Sequence, residues 1–228
     1  MLFDIDGTLI RRAGAHHRQA LVEAIRRTVG VETSTDGVPV AGMLDRDILA
    51  IMMARSGMKP GAIRKAMPEI VERAQSIYIR TVPALHRKVC PGVRRLLQSL
   101  QRRGVVTGLV TGNLTRIGWR KMERAGLKPY FRFGAFAELA KDRAGLVRIA
   151  IRRARQEGWI SRTSRIALIG DHPNDVRAAK ANGIRAIAVA TGLISMDELR
   201  THSPDVLLPD LRSLAPETLF CWKRNRWQ

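Results

Sequence analysis

Two kinds of hydrophobic pattern alternate along this chain, and each predicts a different element. Short apolar runs bounded by turn residues are typical of buried strands, whereas apolar positions three and four residues apart indicate helices. Strands are predicted at 1–3, 105–110, 133–136, 165–169, 186–189 and 206–208. Between the later strands, helices are predicted at 91–103, 116–125, 142–156, 174–181 and 196–201. This alternation predicts an α/β core, a Rossmann-like doubly wound parallel sheet with helices on both faces.

A long helical stretch separates the first strand from the rest of this pattern. Its three segments carry apolar stripes at helical spacing: 16–29, 45–56 and 61–82. We expect Pro68 to interrupt the third of them. A small helical cap is therefore predicted at 11–84, inserted into an α/β core made of 1–10 and 85–228. The first strand is short, which leaves open whether the chain starts a few residues earlier.

Polar residues follow three of the predicted strands, at the point where each strand ends. In an open α/β sheet, ligands bind beyond the carboxyl ends of the strands, so these side chains are expected to meet at one edge. The residues are Asp4 and Asp6 after the first strand, Thr111, Gly112 and Asn113 after the second, and Asp171 and Asp175 after the strand at 165–169.

The spacing of the four aspartates suits a common site. Asp4 and Asp6 are two residues apart, so on an extended backbone they point the same way. Asp171 and Asp175 are four apart, which places them on one face of a starting helix. Four carboxylates in one pocket repel and raise each other's pKa, and a divalent cation relieves that repulsion. Oxygen ligands without a cysteine or histidine cluster indicate Mg²⁺.

Three of these segments resemble the motifs of a known family. Segment 4–9 (DIDGTL) resembles the DxDGT signature of haloacid dehalogenase-type phosphatases. Segment 111–113 (TGN) is similar to their second motif, and segment 170–175 (GDHPND) to their fourth. The resemblance extends over nearly the whole chain and is strongest to the phosphoglycolate phosphatase-like branch. It implies Mg²⁺-dependent hydrolysis of a small phosphate monoester through an aspartyl-phosphate.

The resemblance also implies roles for the aspartates. Asp4 is the nucleophile, and Asp6 is the general acid that protonates the leaving oxygen and then the base that activates water. Mg²⁺ is held by Asp4, the backbone carbonyl of Asp6 and Asp171, with Asp175 in support. A carboxylate nucleophile would divide one difficult displacement into two easier steps.

Binding of the phosphoryl group is implied for the remaining motifs. Thr111 would hydrogen-bond the phosphoryl oxygens, helped by the backbone around Gly112 and Asn113. The third motif departs from the family pattern, because the usual lysine followed by proline is absent. Arg143 best matches the basic position by its distance to the following helix, and Lys141 is the rival. A guanidinium can clamp a phosphate with two hydrogen bonds.

Net charge adds a second possible kind of partner. Lysine and arginine number 40 against 20 aspartate and glutamate, so the formal charge is +20. Such a field favours anionic ligands and attracts nucleic acid nonspecifically. The basic residues are scattered as pairs, such as Arg26-Arg27 and Arg152-Arg153, which favours ordinary solvated helix faces. Nucleic-acid binding is thus disfavoured but not excluded.

The remaining features indicate a cytoplasmic protein with no membrane partner. No apolar run approaches the roughly 18 residues of a membrane-spanning helix, and no signal peptide is recognisable. Cys90 and Cys221 are isolated and are expected to be reduced thiols. Four histidines are expected to be surface or cap-packing residues, and a fifth, His172, a neighbour of the site. The four are His16, His17, His86 and His202.

Two alternative functions stay open at this point. One is a phosphotransferase or phosphomutase of the same superfamily, and the other is a basic, nucleic-acid-associated module on the same scaffold. The substrate cannot be identified, because the cap selects it and cap contacts cannot be placed from one sequence. Both a monomer and a homodimer are compatible with the pattern.

Overall fold

A computed structural model describes residues 1–11 and 15–214 of the chain. Within those ranges the strands are β1 (Leu2–Phe3), β2 (Gly108–Val110), β3 (Phe133–Ala135), β4 (Ala167–Gly170), β5 (Arg185–Val189) and β6 (Val206–Leu208). The α-helices are α1 (Ala15–Val29), α2 (Asp45–Arg55), α3 (Pro60–Thr81), α4 (Val93–Arg102), α5 (Thr115–Ala125), α6 (Arg143–Gln156), α7 (Pro173–Ala181) and α8 (Met196–Thr201). Short 3-10 helices occur at His86–Lys88, Lys128–Tyr130 and Leu211–Ser213.

All six strands belong to one parallel sheet with the order β3-β2-β1-β4-β5-β6. The chain moves outward from β1 to β3, returns to place β4 beside β1, and moves outward again to β6. The strand order therefore reverses between β1 and β4, which is the position where open α/β sheets bind their ligands. The predicted Rossmann-like doubly wound fold is confirmed.

Two of the differences between the predicted elements and the structure have identifiable physical causes. β2 begins at Gly108 and not at 105, because the N–H of Val105 donates to the carbonyl of Leu100 and thereby ends α4. Pro68 was expected to interrupt a helix, and that prediction is wrong: α3 continues through it. A proline removes one backbone hydrogen bond, and the buried side chains of Met67 and Ile70 on either side of it favour an unbroken helix.

Helices α1, α2 and α3 pack chiefly on one another. α3 lies against both α1 and α2, and it also contacts α5, which follows β2. Their apolar stripes are buried, as Leu21, Met53 and Ile70 illustrate. Burial of side chains of this size stabilises a fold by about 1.5–3 kcal/mol each. We refer to α1, α2, α3 and the segments between them as the helical insertion. Helix α5 thus provides a direct contact between this insertion and the sheet-bearing part of the chain.

Two further sequence features have structural counterparts. Cys90 is a buried free thiol, whereas Cys221 lies outside the described residues. Within residues 1–11 and 15–214, no helix combines the length and apolar character needed to cross a bilayer.

Candidate active site

Three aspartates meet where the strand order of the sheet reverses. Asp4 follows β1, Asp171 follows β4, and Asp175 lies in the first turn of α7. Their relative exposures are only 4%, 8% and 2%. A carboxylate oxygen from each lies within 4.8 Å of the others. Three of the four aspartates predicted as metal ligands are therefore together, in a dry environment.

Local backbone structure sets these three positions. The N–H of Asp4 donates to the carbonyl of Ile169, which extends the pairing of β1 with β4 by one residue. At the start of α7, His172 is the N-cap, and its backbone N–H donates to the carboxylate of Asp175. That reciprocal capping pattern satisfies two orphan donors of the helix. It also holds Asp175 against the sheet.

Two glycines leave the space that Asp171 occupies. Gly7 has φ +84°, a left-handed conformation that favours glycine, and a Cβ there would lie 2.1 Å from Oδ2 of Asp171. A Cβ on Gly192 would lie 1.7 Å from the same oxygen. The hydroxyl of Thr8 donates to the other oxygen of Asp171 at 3.0 Å. The Asp171 carboxylate is therefore enclosed by backbone on two sides.

Burial and mutual repulsion act on this cluster. Burial raises the pKa of Asp171 well above its usual value, and the charges of Asp4 and Asp175 raise it further. Burial also raises the pKa of Asp175 to about 7 in spite of a neighbouring arginine. One oxygen of Asp175 has no hydrogen-bond partner. Buried, repelling oxygen ligands of this kind fit a hard divalent cation such as Mg²⁺.

Arg143 supplies a positive charge beside the cluster. Its Nη1 donates to Oδ1 of Asp4 at 2.8 Å and to the carbonyl of Val110 at 3.1 Å, and its Nε lies 3.4 Å from Oδ1 of Asp175. Burial opposes its charge, but Asp175 and Asp4 raise the pKa of Arg143 above its ordinary value. Lys141, the rival for this position, is exposed. Of the two, Arg143 is the residue that reaches the carboxylates.

Residues of the second motif form the next wall of the site. Thr111 is fully buried, and its Oγ1 accepts a hydrogen bond from Nδ2 of Asn113 at 2.7 Å. Its hydroxyl proton is therefore free to point into the cleft. The same Asn113 Nδ2 donates to Oδ2 of Asp6 at 2.8 Å. The carbonyl of Gly112 accepts from the N–H of Asp45, which joins this loop to α2.

Asp6 lies apart from the three-aspartate cluster. Its side chain, 34% exposed, points toward Lys121 of α5, whose Nζ lies 2.5 Å from Oδ2. Burial tends to raise the pKa of Asp6, but the Lys121 charge and the hydrogen bonds from Lys121 and Asn113 outweigh it, so this pKa is below its ordinary value. The resemblance implied that only the backbone carbonyl of Asp6 binds the metal, and the Asp6 side chain faces Lys121 and Asn113.

Two residues of this site were missed in the sequence. Lys121 is completely buried, yet one lysine within a basic helix gives no signal of its own. His17 was expected to be a surface or cap-packing residue. It packs against Tyr78 of α3, as that expectation allows, and it also lines the cleft and contacts Lys121.

The cleft above the aspartates is small and has two kinds of wall. Its volume is about 320 Å³. Asp4, Asp171 and Arg143 contribute the polar floor, while side chains of the helical insertion contribute the opposite wall. That wall includes Leu21, Val40, Met43 and Ile48, together with His17 and Arg18. The space suits a compact molecule with an anionic end at the floor.

Comparison with known proteins agrees with this geometry. Residues 1–183 match the haloacid dehalogenase-like hydrolase family. A phosphoglycolate phosphatase from Pseudomonas syringae pv. tomato is 28% identical over 96% of this chain and 79% of its own length. One from Synechococcus elongatus is 26% identical over 91% of each chain. A β-phosphoglucomutase from Clostridium difficile has the same fold, with a TM-score of 0.70, 16% identity and coverage of 96% and 94%. The chain therefore belongs to the haloacid dehalogenase-like hydrolase family, as its three motifs predicted.

Proposed function

We propose that this hydrolase is a Mg²⁺-dependent phosphatase that cleaves a small phosphate monoester through an aspartyl-phosphate on Asp4. The observation that carries the proposal is the buried cluster of Asp4, Asp171 and Asp175, with the Arg143 guanidinium against it. Its curated relatives are phosphoglycolate phosphatases, which supports a small anionic ester as substrate.

In the first half of the reaction, a carboxylate oxygen of Asp4 bonds to phosphorus as the bond from phosphorus to the ester oxygen breaks. Arg143 holds Oδ1 of Asp4, which leaves Oδ2 for the attack. Asp6 gives its proton to the leaving oxygen. The negative charge of a bound phosphate ester favours the protonated form of Asp6, since a nearby anion raises the pKa of a carboxyl group. The Thr111 hydroxyl would donate to a phosphoryl oxygen, helped by the backbone around Gly112 and Asn113.

In the second half, water attacks phosphorus and Asp6 accepts the proton of that water. Phosphate then leaves, and the carboxylate of Asp4 is restored. Asp4, Asp171 and the Asp6 backbone carbonyl would hold Mg²⁺, with Asp175 in support. When bound, the cation would neutralise negative charge on the transferring group. Proton transfer by a positioned carboxyl group is worth about 10²–10⁴-fold in rate.

The helical insertion is proposed as a separate cap domain at 11–84 that selects the substrate. Its support is the wall of the cleft, which comes from α1, α2 and the segment between them. The core would then comprise 1–10 and 85–228. A buried free thiol at Cys90 is compatible with a reducing compartment, and we place the enzyme in the cytoplasm as a monomer or a homodimer.

A second cleft supports the alternative function of a nucleic-acid-associated module. Its volume is about 1290 Å³, and its lining includes the acidic residue Asp205. The sequence suggested scattered basic pairs, but here the fold gathers five exposed arginines: Arg148, Arg152, Arg155, Arg162 and Arg165. Such a surface attracts polyanions. A gel shift that weakens with salt, without release of phosphate from any ester, would favour this alternative.

The proposed activity is tested with a panel of small phosphate esters, each assayed for inorganic phosphate with Mg²⁺ and with a chelator. We expect turnover that requires the metal and falls at least about 10²-fold without it. Phosphate should appear without any sugar bisphosphate, which separates a phosphatase from a phosphomutase. Absence of phosphate release from every ester in the presence of Mg²⁺ would refute the proposed function.

A further inference from the structure

Lys121 is the one completely buried lysine among the described residues, and its ammonium group faces the active site. Nζ lies 2.5 Å from Oδ2 of Asp6, 2.5 Å from Oδ1 of Asn113 and 3.2 Å from Nδ1 of His17. An ammonium group has three N–H donors and no acceptor. These three contacts therefore use its full hydrogen-bonding capacity.

The contact with Lys121 also fixes the proton on His17. Because the ammonium group can only donate, Nδ1 of His17 must accept, and the ring proton sits on Nε2. Nε2 then donates to Oδ2 of Asp45, which lies 3.0 Å away. The same Asp45 oxygen accepts the N–H of Leu114 at 2.8 Å. The ring of Tyr78 packs edge-on against His17, with 5.6 Å between ring centroids.

These contacts join four separate segments of the chain beside the cleft. Asp6 belongs to the loop after β1, Lys121 to α5, His17 to α1 and Asp45 to α2. A buried ammonium group is costly unless it is paired and fully hydrogen-bonded. An apolar side chain would fill the same volume in α5 without that cost. The partner of the buried ammonium group therefore indicates its role. Lys121 contacts Asp6, just as Arg143 contacts Asp4.

We propose that Lys121 is a positioning residue that holds the Asp6 carboxyl group in line with the leaving oxygen, and that the pair of His17 and Asp45 holds Lys121 in place. This inference rests on the proposed phosphatase function. The consequence is that Asp6 is correctly placed only while the helices of the insertion, which carry His17 and Asp45, are seated on α5 and on the loop at Leu114. Proton delivery is in this way tied to the position of the insertion.

The test compares two substrates that differ in their need for a proton. The leaving group of an aryl ester such as p-nitrophenyl phosphate departs as a stable anion, whereas the leaving oxygen of an alkyl ester must be protonated. The value of kcat/KM reports the transfer of the phosphoryl group to Asp4 and not the later hydrolysis of the aspartyl-phosphate. For Lys121→Met we expect kcat/KM to fall about 10²-fold with the alkyl ester. With the aryl ester we expect it to change less than about threefold.

Several variants make the outcome decisive. Asp6→Asn should show the same preference for the aryl ester, while Arg120→Met, a lost cation on the same helix, should match the wild type on both substrates. Equal losses on both esters in folded Lys121→Met would overturn the inference but leave the phosphatase intact. If thermal unfolding shows that Lys121→Met does not fold, the decision passes to His17. His17→Leu should then lose activity selectively on the alkyl ester and His17→Gln should retain it, and the opposite result would overturn the inference.

Discussion

Replacement of the nucleophile, Asp4→Asn, is expected to lower phosphate-ester hydrolysis by about 10⁴-fold without unfolding the protein. An amide has no negative charge and cannot form the phosphorylated intermediate, so the loss should be the same on alkyl and aryl esters. The side chain has the same shape, and it retains an oxygen that can accept the hydrogen bond from Arg143. Steady-state kinetics and a thermal unfolding curve measure the two effects.

The control for this substitution is Asp36→Asn, which makes the same chemical change at an exposed position that does not line the cleft. It should match the wild type in both measurements. Asp4→Asn removes repulsion within the aspartate cluster but also the ion pair with Arg143, so its stability without Mg²⁺ should stay close to that of the wild type. Undiminished turnover in Asp4→Asn would remove Asp4 from the role of nucleophile.

The second large effect concerns Asp171, whose replacement should lower activity and raise the stability of the metal-free protein. Asp171→Asn should abolish Mg²⁺-dependent turnover, yet it should raise the melting temperature of the metal-free protein. The pKa of Asp171 is well above its usual value because of burial and the charges of Asp4 and Asp175. Its ionised form therefore destabilises the folded state at neutral pH. Removal of that charge should raise Tm by about 2–4 °C for each kcal/mol regained.

The folding stability of the metal-free wild type should fall as pH rises, for the same physical reason. A carboxyl group whose pKa is higher in the folded chain binds protons on folding, so stability falls as pH rises between the two values. For Asp175 that interval extends from 3.8 to about 7. Thermal unfolding at several pH values, with and without Mg²⁺, measures this. Mg²⁺ should raise the Tm of the wild type and not that of Asp171→Asn, and equal shifts in both proteins would remove Asp171 from the metal site.

Much of the site follows from rules that act along the chain. Asp4, Asp171 and Asp175 were predicted together because side chains that follow parallel strands share one edge of the sheet. Arg143 was favoured over Lys141 from its distance to the next helix, and the structure places Arg143 beside Asp4. These inferences required only strand ends and helix starts, which hydrophobic periodicity locates to within a few residues.

What the sequence did not predict depends on packing between distant segments. Lys121 and His17 are 104 residues apart, and they meet because the helical insertion lies against α5. No local pattern distinguishes them from other basic residues. The prediction that Pro68 interrupts a helix failed for a related reason. Burial of side chains on both sides of Pro68 overrode the local tendency of proline to break a helix. Local rules thus located the chemistry, and long-range contacts determined how its charges are held.

The most direct test of covalent catalysis at Asp4 is a pre-steady-state burst with Asp6→Asn. With p-nitrophenyl phosphate the first half of the reaction needs no acid, whereas hydrolysis of the intermediate still needs the base. We predict a burst of about one p-nitrophenolate per chain, followed by slow turnover, as expected when a covalent phosphoryl-enzyme accumulates. Quenched protein should carry one phosphoryl group on the peptide that contains Asp4. Turnover without a burst, or a phosphoryl group on any other residue, would contradict the mechanism.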